Sequence, residues 1–112
     1  MTRRKSLWFI ETRNFTASWT ELRLGATDLT ELQDLILIDP KSHPVVSGTG
    51  GLRKIRFASK SHGKGKRGAL RVCYAFLERF SAVVLVLVYA KNEKVNLSPA
   101  EKKVVKAADS TR

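Results

Sequence analysis

Cysteine and histidine are scarce in this sequence. The 112 residues include one cysteine, Cys73, and two histidines, His43 and His62. A single cysteine excludes an internal disulfide and is typical of a protein in a reducing compartment. Two histidines in predicted loops and a cysteine without a partner cysteine do not form a metal-ligand pattern. A lone cysteine in an apolar strand is more often a packing residue than a nucleophile, so we expect no metal and no cofactor.

Long hydrophobic runs are absent as well. The longest apolar run covers residues 82–90, far short of the about 20 residues that a membrane helix needs. The apolar run at residues 7–10 follows a charged start but is too short for the core of a signal peptide. Apolar residues make up 43% of the chain, which is enough for one globular core. We therefore expect a single domain over residues 1–112, in the cytoplasm and with no membrane as a partner.

Acidic residues are missing from the middle of the chain. No Asp or Glu occurs between residues 40 and 77, whereas nine basic residues do, and these carry most of the formal net charge of +11. They are Lys41, Arg53, Lys54, Arg56, Lys60, Lys64, Lys66, Arg67 and Arg71. A solvated surface usually carries both signs, because mixed charge lowers self-repulsion. A window of one sign therefore indicates a polyanionic ligand, most commonly a nucleic acid.

Two helices are predicted in the first third of the chain. Residues 13–24 place apolar side chains at helical spacing, and Gly25 is the expected end of that helix. Thr27 is the expected N-cap of a second helix, with Asp28 in its first turn, where it suits the helix dipole. Taken together, the two predicted helices are acidic, with Glu21, Asp28, Glu31, Asp34 and Asp39. We expect them to lie behind a sheet whose other side carries the basic residues.

Four stretches have the composition of strands: residues 7–12, 52–59, 69–77 and 82–90. The last is continuously apolar and β-branched, which is typical of a central strand buried on both sides. Beyond it, Ser98 and Glu101 form a capping box, with Pro99 at the first position of a C-terminal helix. The order β-α-α-β-β-β-α predicts an α+β fold in which two N-terminal helices pack on a small, mainly antiparallel sheet.

Alternation along the predicted strands places several basic residues together. Lys54 and Arg56 point to one face of their strand, and Arg53 points to the other with its apolar neighbours. If the next strand pairs antiparallel, Arg71 shares the face of Lys54 and Arg56.

A face of lysine and arginine can cleave RNA without a metal or a histidine. The 2′-hydroxyl attacks the adjacent phosphate, which requires a base, positive charge near the phosphorane and a proton for the leaving 5′-oxygen. Arginines supply preorganised charge, and a lysine crowded by other cations has a lowered pKa that suits it as base or acid. Residues of these types are Lys54, Arg56, Arg71 and Lys91. The alternative is a phosphate-binding face without chemistry, and composition alone does not separate the two.

Four motifs, in order and at fitting distances, resemble the RelE/HigB toxins of bacterial type II toxin–antitoxin systems. They are residues 48–56 (GTGGLRKIR), 63–68 (GKGKRG), 71–74 (RVCY) and 88–94 (VYAKNEK). The likeness is greatest to the HigB toxins of the RelE-like branch, and it covers the N-terminal helices only by pattern. It implies a RelE-like fold and a ribosome-dependent endonuclease that cuts mRNA in the ribosomal A site and halts translation. The implied partner is a cognate antitoxin, HigA-like and usually a helix-turn-helix protein.

The resemblance also assigns site residues. Lys54 and Arg56 match the basic pair on the second strand of the family, Arg71 matches an arginine on the third strand, and Lys91 matches the basic position after the last strand. These four are the catalytic residues that the resemblance implies.

Two departures from the family pattern concern the end of the chain. Asn92 stands where many RelE toxins have a second arginine, and residues 96–98 contain no tyrosine where many have one. Tyr89 is expected to be a core residue, so either Lys94 replaces the tyrosine that would assist the 2′-hydroxyl, or cleavage is slower. The nearby acid, Glu93, is expected to tether a lysine.

A non-catalytic RNA-binding or ribosome-binding protein is the alternative to an enzyme. A DNA-binding regulator is less favoured, because the sequence has no helix-turn-helix pattern and its basic residues lie on strands and loops. For an RNA-cleaving enzyme and for a non-catalytic binding protein alike, the glycine-flexible loop at residues 60–68 suits an RNA backbone. The predicted RNA-binding residues are Arg53, Lys64, Lys66, Arg67 and Lys94.

Overall fold

The computed structural model describes residues 1–60 and 69–90, which contain five strands and two α-helices. In chain order they are β1 (Thr2–Arg4), β2 (Leu7–Glu11), α1 (Arg13–Glu21), α2 (Ala26–Ile38), β3 (Arg53–Phe57), β4 (Leu70–Leu77) and β5 (Ala82–Ala90). A single 3₁₀ turn, Glu78–Phe80, joins β4 to β5. The predicted C-terminal helix and most of the basic loop lie outside the described residues.

The strands form one mixed sheet in the order β1-β2-β5-β4-β3. β5 pairs parallel with β2 and antiparallel with β4, and it is buried from Ala82 to Val88. The prediction of a central, two-sided strand at residues 82–90 is therefore confirmed. β1 was not predicted, because its three residues are polar and exposed or half-buried, and pairing with β2 is what makes it a strand.

The junction between the helices differs from the prediction. α1 ends at Glu21, and Arg23 takes the left-handed conformation with a φ of 61°, so the prediction that Gly25 ends this helix is wrong. Gly25 is instead the N-cap of α2, and its N–H donates to Asp28 Oδ2 at 2.7 Å. The prediction that Thr27 caps α2 is wrong for the same reason, since Asp28 already satisfies the helix start from within the first turn.

One face of the sheet and the two helices share a hydrophobic cluster. It includes Phe15 and Trp19 of α1, Leu32 and Ile36 of α2, and Phe57 of β3. The rings form a stack, with centroid distances of 5.3 Å between Phe15 and Trp19 and 5.9 Å between Trp19 and Phe57. This cluster fixes which side of β3 and β4 faces the helices, and therefore which side carries the other residues.

A β-bulge interrupts the pairing of β4 with β5. Cys73 pairs with Leu87 and Tyr74 pairs with Leu85, so Val86 is the extra residue on β5. The carbonyl of Val86 accepts a hydrogen bond from the Thr12 hydroxyl at 2.9 Å, and that hydroxyl also accepts the Phe15 N–H at 3.0 Å as the N-cap of α1. A bulge shifts the alternation of side chains by one residue. Residues of β5 beyond Val86 therefore face the opposite side from the one that simple alternation gives.

The second face of the sheet carries its own buried cluster, away from the helices. Its buried members are Leu52, Cys73, Ala75, Val84, Val86 and Leu87, and Tyr89 packs at its edge. Both Val86 and Leu87 lie in this cluster, whereas Leu85 and Val88 lie in the helical one, as the bulge requires.

Candidate nucleic-acid interface

The second face of the sheet carries cross-strand rows of side chains from β3, β4 and β5. Arg56 pairs with Arg71, and Arg71 pairs with Tyr89. One step along the strands, Lys54 pairs with Cys73. Neighbouring strands lie about 4.8 Å apart, so the Arg56–Arg71–Tyr89 row spans roughly 10 Å. We call Lys54, Arg56, Arg71 and Tyr89 the basic face; Cys73 lies buried beneath it.

Three of the four residues expected to act on RNA are together on this face. Lys54 and Arg71 are half-buried and Arg56 is exposed. The hydrophobic partners of these strands, Ile55 and Val72, lie in the helical cluster, which is why the basic residues point away from it. The expected sharing of one face by Lys54, Arg56 and Arg71 is what the pairing of β3 with β4 gives.

The two arginines of the row have no acidic neighbour among the described residues. The salt bridges within residues 1–60 and 69–90 are Arg4–Asp34 at 2.7 Å and Lys41–Glu78 at 3.1 Å. Arg71 donates from Nη1 to the carbonyl of Ala69 at 3.2 Å, a neutral acceptor, and no carboxylate within residues 1–60 and 69–90 forms a salt bridge with it. Like charges directly opposite each other destabilise a strand pair. An anion bound across Arg56 and Arg71 would remove that repulsion.

Cys73 is a buried packing residue at the base of this face. Its side chain is 1% exposed, and burial raises the pKa of the thiol, while a hydrogen bond with Tyr89 and the charge of Lys54 lower it. The net direction is upward, so the thiol stays protonated at neutral pH and is a poor nucleophile. The sequence-based interpretation of Cys73 as packing agrees with this environment.

Tyr89 lies on the basic face and not between the sheet and the helices. It is half-buried, and its hydroxyl is 4.0 Å from the Cys73 sulfur. Burial raises the pKa of this phenol, and Cys73 raises it further, while the charge of Arg71 lowers it. Tyr89 was expected to be a core residue, and it packs against the second hydrophobic cluster while remaining half-buried. The signal missed was the bulge at Val86, which an all-apolar run does not display.

Arg53 lies on the helical side of β3, away from the basic face. Its Nη1 donates to the carbonyls of Lys41 at 3.0 Å and His43 at 2.7 Å. The hydroxyl of its cross-strand partner, Tyr74, donates to the carbonyl of Pro40 at 2.7 Å. The two side chains together hold the loop that leads from α2 into β3.

A glycine-containing turn completes that loop. Gly48, Gly50 and Gly51 have positive φ angles of 81°, 79° and 130°, which glycine adopts without strain. The Val46 N–H donates to the Leu52 carbonyl at 2.8 Å, and the Thr49 hydroxyl accepts the Leu52 N–H at 3.1 Å. The turn therefore aims the chain into β3.

The remaining predicted site residues fall outside the described part of the chain. They are Lys64, Lys66, Arg67, Lys91 and Lys94, and Asn92 and Glu93 lie there too. The flanking strand ends are adjacent, because Phe57 pairs with Leu70 and Leu70 pairs with Ala90. The chain thus leaves β3, enters β4 and leaves β5 beside the Arg56–Arg71 pair.

The start of the basic loop is anchored to α2. The Ser59 hydroxyl donates to the Asp28 carboxylate, and the Lys60 N–H donates to Glu31 Oε2 at 3.0 Å. Asp28 is buried, with 3% of its surface exposed. The acids of α2 thus anchor the chain just beyond the C-terminal end of β3.

Two further findings concern other kinds of site. Within residues 1–60 and 69–90, no group of three or more His, Cys, Asp or Glu side chains is placed to hold a metal ion. Neither described helix is long and apolar enough to cross a membrane.

The five-stranded mixed sheet with two helices is a RelE-like fold. Among solved structures, the chain is similar to the E. coli toxin RelE, in an arginine-to-alanine double mutant in the free state. The TM-score is 0.55 at 14% sequence identity, and the match covers 95% of this chain and 97% of that one. The expected RelE-like fold is confirmed by this likeness, which at such identity is one of fold. No protein-family model matches the chain.

Proposed function

We propose that this chain is the toxin of a type II toxin–antitoxin system, a ribosome-dependent mRNA endonuclease that acts in the cytoplasm and inhibits translation. The observation that carries the proposal is the Arg56–Arg71 pair with Lys54 beside it, a face of one charge sign on a RelE-like fold. A repulsive arrangement of this kind lowers stability. Its retention is explained if an RNA phosphate binds there.

The proposed chemistry is a transesterification that needs no metal. The 2′-oxygen forms a bond to the adjacent phosphorus and the bond to the 5′-oxygen breaks, which yields a 2′,3′-cyclic phosphate and a 5′-hydroxyl. A lysine, Lys54 or Lys91, takes the 2′-hydroxyl proton, and the other returns a proton to the 5′-oxygen. Arg56 and Arg71 stabilise the charge that develops on the non-bridging oxygens.

The proposed partners follow from the same reasoning. The substrate is mRNA in the ribosomal A site, and Lys64, Lys66, Arg67 and Lys94 bind RNA backbone, including that of the ribosome. Arg53 supports this face indirectly, because its guanidinium is committed to the loop before β3. A HigA-like, helix-turn-helix antitoxin is the proposed inhibitor.

Primer extension on a defined mRNA, with purified protein and with or without ribosomes, tests the proposal. Cuts that appear only with ribosomes, and that vanish in Arg71→Ala, support it. Cuts without ribosomes identify a free ribonuclease and contradict the ribosome dependence. Full toxicity of Arg71→Ala contradicts the mechanism.

A non-catalytic RNA-binding or ribosome-binding protein is the second candidate. The observation that favours it is the absence, from the basic face as the described residues form it, of any carboxylate or histidine that could act as a base. Such a protein binds ribosomes and leaves mRNA intact. Salt dependence does not separate the two candidates, since both neutralise phosphates; the cleavage products do.

A further inference from the structure

Tyr89 owes its position to the bulge at Val86. On β5 before the bulge, Val83 and Leu85 face the helical cluster, and unbroken alternation would send Tyr89 to that side too. The extra residue reverses the phase, so Val88 faces the helices and Tyr89 faces the basic residues. Bulges commonly re-aim a side chain beside a functional site.

Tyr89 packs at the edge of the second cluster and shares its cross-strand row with two cations. Directly across the strand pair lies Arg71, and beyond it Arg56. The hydroxyl has one polar partner among the described residues, the Cys73 thiol at 4.0 Å, which is a weak acceptor. Among residues 1–60 and 69–90, the phenol therefore has hydrogen-bonding capacity left for a ligand that binds at the row.

The Tyr89 phenol is suited to donate a hydrogen bond. The raised pKa keeps the phenol protonated at neutral pH, so it is a neutral donor there and not a base. A phosphate that bridges Arg56 and Arg71 would present acceptor oxygens at the same row. A hydrogen bond from a neutral donor to an anion is among the stronger kinds in proteins.

We propose that Tyr89 is a substrate-contacting residue of the basic face, whose hydroxyl donates a hydrogen bond to the RNA phosphate held by Arg56 and Arg71. The inference rests on the proposed function for its substrate class, RNA. It adds a third kind of group to a face otherwise made of cations. It also explains why the bulge, with its Thr12 hydrogen bond, lies where it does.

The test compares Tyr89→Phe with the wild-type chain in two assays. The first is single-turnover cleavage of mRNA on saturating ribosomes; the second is equilibrium binding of a fluorescent single-stranded RNA. Loss of a hydrogen bond to a charged group gives an expected fall of roughly 10- to 100-fold in rate or affinity. Tyr74→Phe is the matched control, since it removes the hydroxyl of the chain's other tyrosine, which lies on the helical side of the sheet.

Packing is separated from contact by Cys73→Ala. This variant removes the protein partner of the hydroxyl and leaves the phenol in place, so it is expected to keep RNA binding within about twofold of wild type. If Cys73→Ala matches the loss in Tyr89→Phe, the tyrosine acts through the core and the proposal is overturned. Equal thermal unfolding of Tyr89→Phe and wild type excludes a folding defect.

The two assays also keep the proposals distinct. If wild type does not cut mRNA on ribosomes, the proposed nuclease activity fails, yet weaker RNA binding by Tyr89→Phe still supports the contact. If wild type cuts mRNA and Tyr89→Phe equals it in both rate and affinity, the contact is refuted while the proposed function stands.

Discussion

Arg56 and Arg71 lie directly opposite each other on β3 and β4, and neither forms an ion pair with a carboxylate of the described residues. Charge pairs in this relationship repel by a few tenths of a kcal/mol to about 1 kcal/mol. The pair stands at the end of the sheet where the basic loop begins and ends. The Arg56–Arg71 repulsion thus lowers the stability of the fold at the place where RNA is proposed to bind.

The first prediction follows from that repulsion. Arg56→Gln is expected to raise the free energy of unfolding by about 0.2–1 kcal/mol, and to abolish growth arrest when the chain is expressed without an antitoxin. Urea unfolding and a growth assay measure the two effects. Arg79→Gln, which removes an exposed arginine at the other end of β4, is the control and is expected to change neither. A stability loss in Arg56→Gln would mean that the arginine is held by an unseen stabilising partner.

The second prediction concerns Thr12, which serves both α1 and the bulge. Thr12→Val removes the N-cap and the hydrogen bond to the Val86 carbonyl, with an expected loss of about 1–3 kcal/mol. Thr12→Ser keeps the hydroxyl and is expected to stay within about 1 kcal/mol of wild type. Hydrogen exchange at the amides of residues 85–88 reports the bulge directly. Equal protection in both variants would show that β5 holds its register without Thr12.

The third prediction is a pH dependence of stability. Burial raises the pKa of Cys73 above its ordinary 9.0, so the folded chain holds this proton more tightly than the unfolded chain. The corresponding stability is complete below about pH 9 and is lost as the pH rises through the folded value.

Cys73→Ala isolates this effect. Its free energy of unfolding is expected to be lower than that of wild type at pH 7, and the gap is expected to narrow as the pH rises above about 9, because only wild type has the thiol to ionise. Urea unfolding at a series of pH values gives the difference. A constant gap would show that the thiol ionises equally easily in both states.

The fourth prediction concerns the basic loop. Changing Lys64, Lys66 and Arg67 to glutamine is expected to weaken co-sedimentation with ribosomes several-fold at moderate salt, because each neutralised phosphate contact contributes to binding. The matched control removes the same number of charges from the exposed N-terminal segment, with Arg3, Lys5 and Arg13 changed to glutamine. Equal weakening of ribosome binding in both variants would show that the loop contributes only net charge.

Much of this fold could be predicted from the sequence, for identifiable reasons. The continuous apolar run at residues 82–90 marked the central strand, since only a strand covered on both sides needs apolar residues at every position. Alternation in β3 separated Lys54 and Arg56 from the apolar residues that face the helices. The antiparallel pairing then carried Arg71 to their side.

The same apolar run is why the face on which Tyr89 lies could not be predicted. A bulge changes the phase of alternation, and phase is visible only where polar and apolar residues alternate. From Ala82 to Val88 every residue is apolar, so an extra residue at Val86 leaves no trace in the pattern. The junction at Arg23 and Gly25 was predicted wrongly for another reason. Glycine often ends a helix, but here the Asp28 carboxylate accepts the Gly25 N–H and makes Gly25 the start of α2.

The place of β5 in the sheet also sets the order in which the strands can pair during synthesis. It is the last strand of the described chain, yet both β2 and β4 pair with it. During synthesis, a nascent chain that has not yet released residue 90 has only the separate pairs β1–β2 and β3–β4, and isolated two-stranded pairs are marginal in water. The Arg71–Tyr89 row does not exist until then. For a protein proposed to act on translating ribosomes, this order of assembly delays formation of the proposed RNA-binding face until residue 90 has left the ribosome that makes it.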